Sequence, residues 1–200
     1  MKLEESKTFE NLAAAFATEC QARTRYEYIE YGARFNGYKA LAEMIDKMAY
    51  QEFTHSRMLY AAIQQCDLEQ VDNIEISGGF PFKEKWDVCQ NLMLASDDEQ
   101  QDAKAYEMYI KIAEDEGFRN EAELFKMIRK VELRHSKVFK YLHNKMKDGN
   151  LYKADKEVKW VCPDCGHVHF GFEAPQECAL CKAKQGTFEI CLPEEFYCCD

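Results

Sequence analysis

The chain has 200 residues and a mass of 23.4 kDa, which suits one large domain or a domain with a small added module. A hydrophobic share of 46%, with only 4 Pro and 9 Gly, excludes the disordered and collagen-like classes. The net charge of -10 argues against binding to nucleic acid or to an anionic membrane, because both require a basic face. The acidic N-terminus and the lack of a long apolar run predict a cytoplasmic protein with no membrane span.

The first three quarters of the chain carry a helical pattern. Apolar residues recur at helical spacing over residues 4–147, with interruptions at Gly37, residues 77–81 and Gly117. This pattern predicts four long helices. Gly37 and Gly117 are expected just after helix ends, where a left-handed turn costs glycine nothing. The long segment 67–82 predicts a crossover between the second and third helices.

The pattern changes after residue 150. Short alternating segments at residues 157–161 and 168–172 predict small strands. We therefore expect a mainly α protein with two domains, a four-helix bundle over residues 1–150 and a small β domain over residues 151–200.

The bundle sequence contains an internal repeat at an offset of 80 residues. The offset relates the first helix to the third and the second helix to the fourth. The matching pairs that carry polar chemistry are Glu19 with Glu99, Tyr26 with Tyr106, Glu52 with Glu132, and His55 with His135.

These acids lie in the middle of otherwise apolar helical stripes. Burial of an ionised carboxylate without a partner costs several kcal/mol in order of magnitude, so a cation is needed among them. Any one Glu on a helix is more often a solvated surface residue. Because a Glu and a His three residues later share a helix face, two such pairs with one Glu from each remaining helix indicate a di-iron carboxylate site. The predicted ligands are Glu19, Glu52, His55, Glu99, Glu132 and His135.

Tyr26 and Tyr106 have two interpretations. The simpler one is a core aromatic side chain with a satisfied hydroxyl, and the other is a hydrogen bond to a ligand carboxylate.

Seven of the ten cysteines lie in the last 39 residues. Two Cys-x-x-Cys pairs, Cys162 with Cys165 and Cys178 with Cys181, predict a tetrathiolate metal site. Zinc and iron both accept four thiolates, and the neighbouring redox core favours iron. The remaining C-terminal cysteines, Cys191, Cys198 and Cys199, are expected to be free thiols.

Together, the two Glu-x-x-His motifs, the segment from Glu19 to Tyr26 and the paired cysteines resemble the rubrerythrin family. The resemblance covers nearly the whole chain. It implies a ferritin-like di-iron bundle followed by a rubredoxin-like domain, acting as a cytoplasmic peroxide reductase. It further implies reduced rubredoxin or an NAD(P)H-linked reductase as electron donor, and a homodimer or larger assembly.

On this resemblance hydrogen peroxide is reduced to water, with Glu52 and Glu132 bridging the irons. Glu19 and His55 then belong to one iron, and Glu99 and His135 to the other. A further family carboxylate corresponds to Asp102, which is shorter than the usual Glu. It is expected either to bind through water or in one oxidation state, or to orient a ligand.

Two other functions stay open from the sequence. A ferroxidase or iron-handling protein uses the same bundle but needs no electron relay, so the tetrathiolate site argues against it. The second is a zinc-ribbon interaction module on a helical scaffold, and a colourless purified protein would favour it.

Overall fold

The structure, a computed structural model, describes residues 1–80 and 87–196. Its main elements are α1 (Lys7–Phe35), α2 (Lys39–Ile63), α3 (Val88–Glu116), α4 (Arg119–Lys147), β1 (Lys153–Val161) and β2 (Val168–Glu173). The predicted mainly α fold with four helices and a small C-terminal sheet is confirmed. The end of the predicted crossover at Phe82, and the Cys198–Cys199 pair, lie outside the described residues.

The two short turns of the bundle have the same backbone geometry. Gly37 has a φ of +82° and Gly117 a φ of +89°, the left-handed region in which glycine avoids the Cβ penalty. After each glycine, a backbone N–H bonds back to an alanine carbonyl, from Tyr38 to Ala33 at 2.9 Å and from Phe118 to Ala113 at 2.8 Å. The 80-residue repeat of the sequence thus extends to the backbone hydrogen bonds.

The first turn of α1 is capped from two directions. The hydroxyl of Ser6 accepts the N–H of Phe9 at 3.1 Å, as an N-cap residue does. The carboxylate of Glu116, at the end of α3, accepts the backbone N–H groups of Lys7 at 2.9 Å and Thr8 at 2.8 Å. A negative charge at this position also complements the dipole of α1.

The chain divides into two compact units, and the division crosses all four helices. The first unit comprises Met1–Arg25, Met48–Lys83 and Asp97–Ser136, and the second comprises Tyr26–Lys47, Glu84–Ser96 and Lys137–Asp200. α1 and α4 contribute their N-terminal parts to the first unit, whereas α2 and α3 contribute their C-terminal parts. α2 and α3 therefore run in the same direction between the units, as the predicted crossover requires.

The first unit has a continuous apolar core. Its members include Leu12, Leu59, Tyr106, Phe125 and Ile128, each no more than 2% exposed. None of the described helices is long and apolar enough to cross a membrane.

The second unit contains the sheet and the four cysteines of the paired motifs. β1 and β2 are antiparallel, with Trp160 opposite His169 and Val161 opposite Val168. β1 begins four residues before the predicted strand. The register is irregular between Lys153 and Val158, so the simple alternation of inward and outward side chains is lost there. The helical part of the chain ends at Lys147, and the first strand begins at Lys153. The division into two domains, 1–150 and 151–200, stays a prediction.

Within the same unit, the α1–α2 turn packs closely on the chain after β2. A Cβ added at Gly186 would collide with the carbonyl oxygen of Gly37, so only glycine permits this approach. Beside it, the ammonium of Lys39 pairs with the carboxylate of Asp164. The turn and the cysteine-bearing segment are therefore held together by a backbone contact and an ion pair.

Candidate metal centres

All six predicted bundle ligands lie in the first unit, at the middle of the four helices. α1 and α3 each supply one carboxylate, and α2 and α4 each supply a carboxylate and an imidazole. None is more than 7% exposed: Glu19 2%, Glu52 0%, His55 7%, Glu99 1%, Glu132 2% and His135 1%. Four carboxylates are thus removed from water in one place, where a cation offsets the cost.

The six side chains form two overlapping groups. One ligand atom from each member of a group lies within 4.8 Å of the others. Both groups contain Glu52 and Glu132, so these two carboxylates are shared. The first group adds Glu19 and His55, and the second adds Glu99 and His135.

The imidazoles of both histidines point into these groups through Nδ1. Nδ1 of His55 lies 3.2 Å from Glu19, 3.1 Å from Glu52 and 3.1 Å from Glu132. Nδ1 of His135 lies 2.7 Å from Glu52 and 3.6 Å from both Glu99 and Glu132. Each ring nitrogen therefore faces three carboxylates.

Several of these short contacts are not aligned as hydrogen bonds. Oε1 of Glu52, Oε1 of Glu132 and Nδ1 of His135 are buried and have no hydrogen-bond partner. Their lone pairs converge on a shared space instead of on one another, which is the arrangement of ligands around a cation. The imidazole and carboxylate donors also suit iron. The residues present therefore fit a di-iron centre.

The close contacts between the carboxylates and imidazoles also determine the protonation of the metal-free site. Burial, and then the charge of Glu132, raise the pKa of Glu19 well above its usual value. Burial alone lowers the pKa of His55, but its contacts with Glu132, Glu19 and Glu52 outweigh burial and raise the pKa to about 12. Protons thus balance the carboxylate charge in the metal-free protein, and a metal ion must displace them.

Tyr106 contacts the site directly. Its hydroxyl donates a hydrogen bond to Oε1 of Glu19, from α3 to α1. The second of the two interpretations, a hydrogen bond to a predicted ligand carboxylate, therefore holds for this tyrosine. Tyr26 is buried, and its ring packs against Phe139 with a centroid separation of 4.8 Å.

Asp102 is not a member of either group of ligand atoms. Burial and the charge of Glu132 raise its pKa to about 7, and the nearby guanidinium of Arg25 partly opposes this shift. Arg25 itself forms an ion pair with Asp98 on α3. The structure therefore brings six of the seven predicted bundle ligands together, and direct ligation by Asp102 stays a prediction.

Two polar residues at the site were not identified from the sequence. Gln51 accepts a hydrogen bond from His135, and Arg134 donates to the same amide oxygen. Each lies one residue before a predicted ligand, and that adjacency was the signal available in the sequence.

The four cysteines of the paired motifs meet in the second unit. Their sulfurs all lie within 4.8 Å of one another. Sγ of Cys162 is 3.6 Å from Sγ of Cys181, and Sγ of Cys165 is 3.6 Å from Sγ of Cys178. A tetrahedral site with metal–sulfur bonds of about 2.3 Å requires sulfur–sulfur separations of roughly 3.8 Å. The cluster therefore has the size of a tetrathiolate metal site.

Both Cys-x-x-Cys turns, here called knuckles, have the same backbone. In each, the N–H groups two and three residues after the first cysteine bond to its sulfur. The N–H of Cys181 and, to a lesser extent, the N–H of Leu180 lower the pKa of the Cys178 thiol to about 6, although the residue is buried. The residues that close the knuckles, Gly166 and Lys182, have φ values of 74° and 66°. At Cys178 the knuckle backbone thus favours thiolate, the form that binds metal. In the first knuckle, burial raises the pKa of the Cys162 thiol. At Cys165, the N–H of His167 lowers the pKa of the thiol, but burial and the neighbouring thiols outweigh it and raise the pKa to about 12.

The other described cysteines are free thiols. Cys191 is among them, as expected, and burial raises the pKa of its thiol. The sulfur of Cys89 lies 3.6 Å from Nδ1 of His143, but that nitrogen bonds to the carbonyl of Cys89 at 2.8 Å. The ring nitrogen is therefore not free to act as a base toward the thiol.

The rubrerythrin family model matches residues 10–143 and 90–162, and its rubredoxin-like domain matches residues 160–189. A rubrerythrin of Clostridium perfringens is 35% identical over 189 residues, covering 94% of this chain and 96% of that protein. The chain belongs to the rubrerythrin family. A rubrerythrin of Nitratidesulfovibrio vulgaris is 31% identical, with the same coverage of 94% and 96%. Rubrerythrins are iron-dependent oxidoreductases, and both metal-binding parts of the family are present here.

Solved structures agree on the fold. Nigerythrin in a mixed-valent state aligns with a TM-score of 0.60 at 24% identity, covering 92% of this chain and 89% of that one. Bacterioferritin of Desulfovibrio desulfuricans aligns over 72% of this chain and 82% of that one, with a TM-score of 0.60 and 22% identity. The bundle is therefore ferritin-like, as the rubrerythrin resemblance implied.

Proposed function

We propose that the protein reduces hydrogen peroxide to water, with electrons that enter through an iron in the tetrathiolate site. The reaction consumes two electrons and two protons for each peroxide and yields two waters. The observation that carries the proposal is the pairing, in one chain, of two ligand groups sharing Glu52 and Glu132 with a four-cysteine cluster.

In this proposal Glu52 and Glu132 would be shared by two iron positions, one completed by Glu19 and His55 and the other by Glu99 and His135. A ferrous pair bound there would supply the two electrons that peroxide needs. The protein contributes a buried, preorganised ligand set, because all six side chains are at most 7% exposed. Tyr106 holds Glu19 in place through its hydroxyl.

The four cysteines would hold one iron, and the chemistry it would supply there is one-electron transfer to the bundle. Reduced rubredoxin or an NAD(P)H-linked reductase is the proposed donor. The family relationship supports this donor class, a cytoplasmic location and a homodimer or larger assembly. Zinc also fits four thiolates, so metal identity is the first property to measure.

Metal analysis with a visible spectrum tests the assignment. Protein produced with iron should be red and hold about three irons per chain, one in the thiolate site and two in the bundle. Zinc alone in both sites would overturn the proposal and favour an interaction module.

Two variants separate the two centres. Cys165→Ser should remove the thiolate-iron colour and donor-linked turnover, while the chemically reduced bundle still consumes one peroxide. Glu132→Ala should lose bundle iron and peroxide consumption together. Matched controls are Cys191→Ser, outside the cluster, and Glu123→Ala, an exposed glutamate of α4.

Equal donor-linked turnover in wild type and Cys165→Ser would contradict the relay. If the bundle then oxidised ferrous iron without consuming electrons from a donor, the ferroxidase function would be favoured instead.

A further inference from the structure

His135 is oriented from the side of its ring that faces away from the metal groups. Its Nε2 lies 2.7 Å from Oε1 of Gln51, which comes from α2. The same oxygen lies 3.3 Å from a terminal nitrogen of Arg134, the residue before His135 on α4. Gln51 therefore connects the two helices that each supply a Glu-x-x-His pair.

Arg134 determines which end of the Gln51 amide faces the histidine. A guanidinium has only donors, so the amide atom in contact with Arg134 must be the oxygen. That oxygen cannot donate, so Nε2 of His135 must carry the proton. In the neutral imidazole the lone pair then resides on Nδ1, the atom that faces Glu52, Glu99 and Glu132.

The internal repeat shows that this arrangement exists on one side only. At the offset of 80 residues, Gln51 corresponds to Val131 and Arg134 corresponds to Thr54. Valine has no acceptor, and the hydroxyl of Thr54 donates to the carbonyl of Tyr50 at 3.1 Å. The repeat-related histidine, His55, therefore has no counterpart of the Gln51–Arg134 pair.

His55 also differs in its surroundings. In the described part of the chain, all its polar contacts are made through Nδ1. Its side chain is 9% exposed, compared with 1% for His135. Among the described residues, His135 thus has a fixed protein partner at Nε2, whereas the polar contacts of His55 are limited to Nδ1.

We propose that Gln51, held by Arg134, is a positioning residue that fixes the ring and the tautomer of His135 and makes the two metal positions of the bundle inequivalent. The position that contains His135 binds metal more tightly than the position that contains His55. Partners on the distal nitrogen of a ligating histidine typically change metal affinity by about 10–100-fold. The inference rests on the ligand assignment of the proposed function, but not on the reaction.

Anaerobic titration with Co²⁺, after the thiolate site has been filled, gives the stepwise affinities of the bundle. Wild type should bind two ions with different affinities. Gln51→Leu should weaken the tighter step by about 10–100-fold. Gln51→Glu, which keeps an acceptor beside Arg134, should retain the wild-type affinity of the tighter step. The matched control is Val131→Leu, which places the same side chain at the repeat-related position and should change neither step.

A second measurement does not depend on metal. The imidazole N–H proton on Nε2 of His135 should be protected from solvent exchange in wild type and Gln51→Glu, and should exchange rapidly in Gln51→Leu. Unchanged exchange and unchanged affinities in Gln51→Leu would overturn the inference. Failure of wild type to bind any ion in the bundle would instead overturn the ligand assignment.

Discussion

The hydroxyl of Tyr106 donates a hydrogen bond to the carboxylate of Glu19, which joins α3 to the metal-facing side of α1. The pair lies within a core in which both residues are no more than 2% exposed. A donor in this position cannot be replaced by water without opening the bundle.

Tyr106→Phe should therefore lower stability and leave the metal in place. The loss of one hydrogen bond to a buried carboxylate costs about 1–3 kcal/mol. In a chain of this size, the melting temperature falls by roughly 2–4 °C per kcal/mol. Calorimetry of the iron-loaded protein, with iron counted before and after, measures both quantities.

Tyr109→Phe is the control, because its ring packs on Tyr106 and Phe125. This variant should change the melting temperature by much less. Equal losses in the two variants would show that the hydroxyl of Tyr106 contributes nothing specific.

Metal binding to the bundle should release protons and weaken as the pH falls. The pKa of His55 is about 12 in the metal-free site, so the ring is protonated at neutral pH and must lose a proton to ligate. For each displaced proton, the affinity should fall about tenfold per pH unit of acidification. Calorimetric titration with Co²⁺ in buffers of different ionisation enthalpy counts the protons. An affinity independent of pH would contradict the protonation that the surrounding carboxylates impose on His55.

Asp102→Ala should keep both bundle irons and lose most peroxidase activity. Asp102 lies outside both ligand groups, so its removal leaves the six other side chains in place. Burial and Glu132 raise its pKa to about 7, which marks it as a group that responds to charge at the metal site. Iron content, turnover and the di-iron reduction potential are the measurements, and we expect the potential to rise.

The control is Asp97→Ala, an exposed carboxylate on the same helix. If Asp102→Ala matches wild type in both rate and potential, Asp102 is a spectator and six protein ligands suffice.

Lys182→Gly should stabilise the tetrathiolate site. Lys182 is the only non-glycine residue with a positive φ in the described chain, at 66°, and it occupies the place that Gly166 holds in the other knuckle. The left-handed conformation costs a non-glycine residue about 1–2 kcal/mol. Glycine avoids this cost, but part of the gain in stability is lost because glycine has more conformational freedom in the unfolded chain. The rate at which a chelator removes the thiolate metal should therefore decrease.

Lys184→Gly is the comparison, because its φ of -74° is favourable for any residue. This change should leave the rate of metal loss the same or increase it. An equal decrease in both variants would indicate an effect of charge instead of backbone strain.

The grouping of the six polar side chains was predictable because it follows the repeat. Glu19, Glu52 and His55 each have an identical residue 80 positions later, and identical buried acids on apolar stripes have few explanations besides a metal. The helix ends at Gly37 and Gly117 were predictable for a similar reason, since both follow from local backbone sterics.

Gln51 was not predictable in this way because its repeat partner is Val131, so a search for matched pairs discards it. Its contact with His135 depends on how α2 packs against α4, which no local pattern encodes. Whether the carboxylate of Asp102 reaches the ligand groups depends on a side chain that is one methylene shorter than that of Glu. Tyr106 posed the same difficulty, because a core tyrosine and a ligand-orienting tyrosine have the same sequence pattern.

The cap that Glu116 places on Lys7 and Thr8 has a consequence for the order of folding. The first turn of the first helix is closed by a residue 108 positions downstream of Thr8. During synthesis the start of α1 therefore lacks its partner until α3 has been translated in full, and closing so long a loop is slow compared with forming a helix. The N-terminal turn should be among the last parts of the bundle to gain protection from hydrogen exchange.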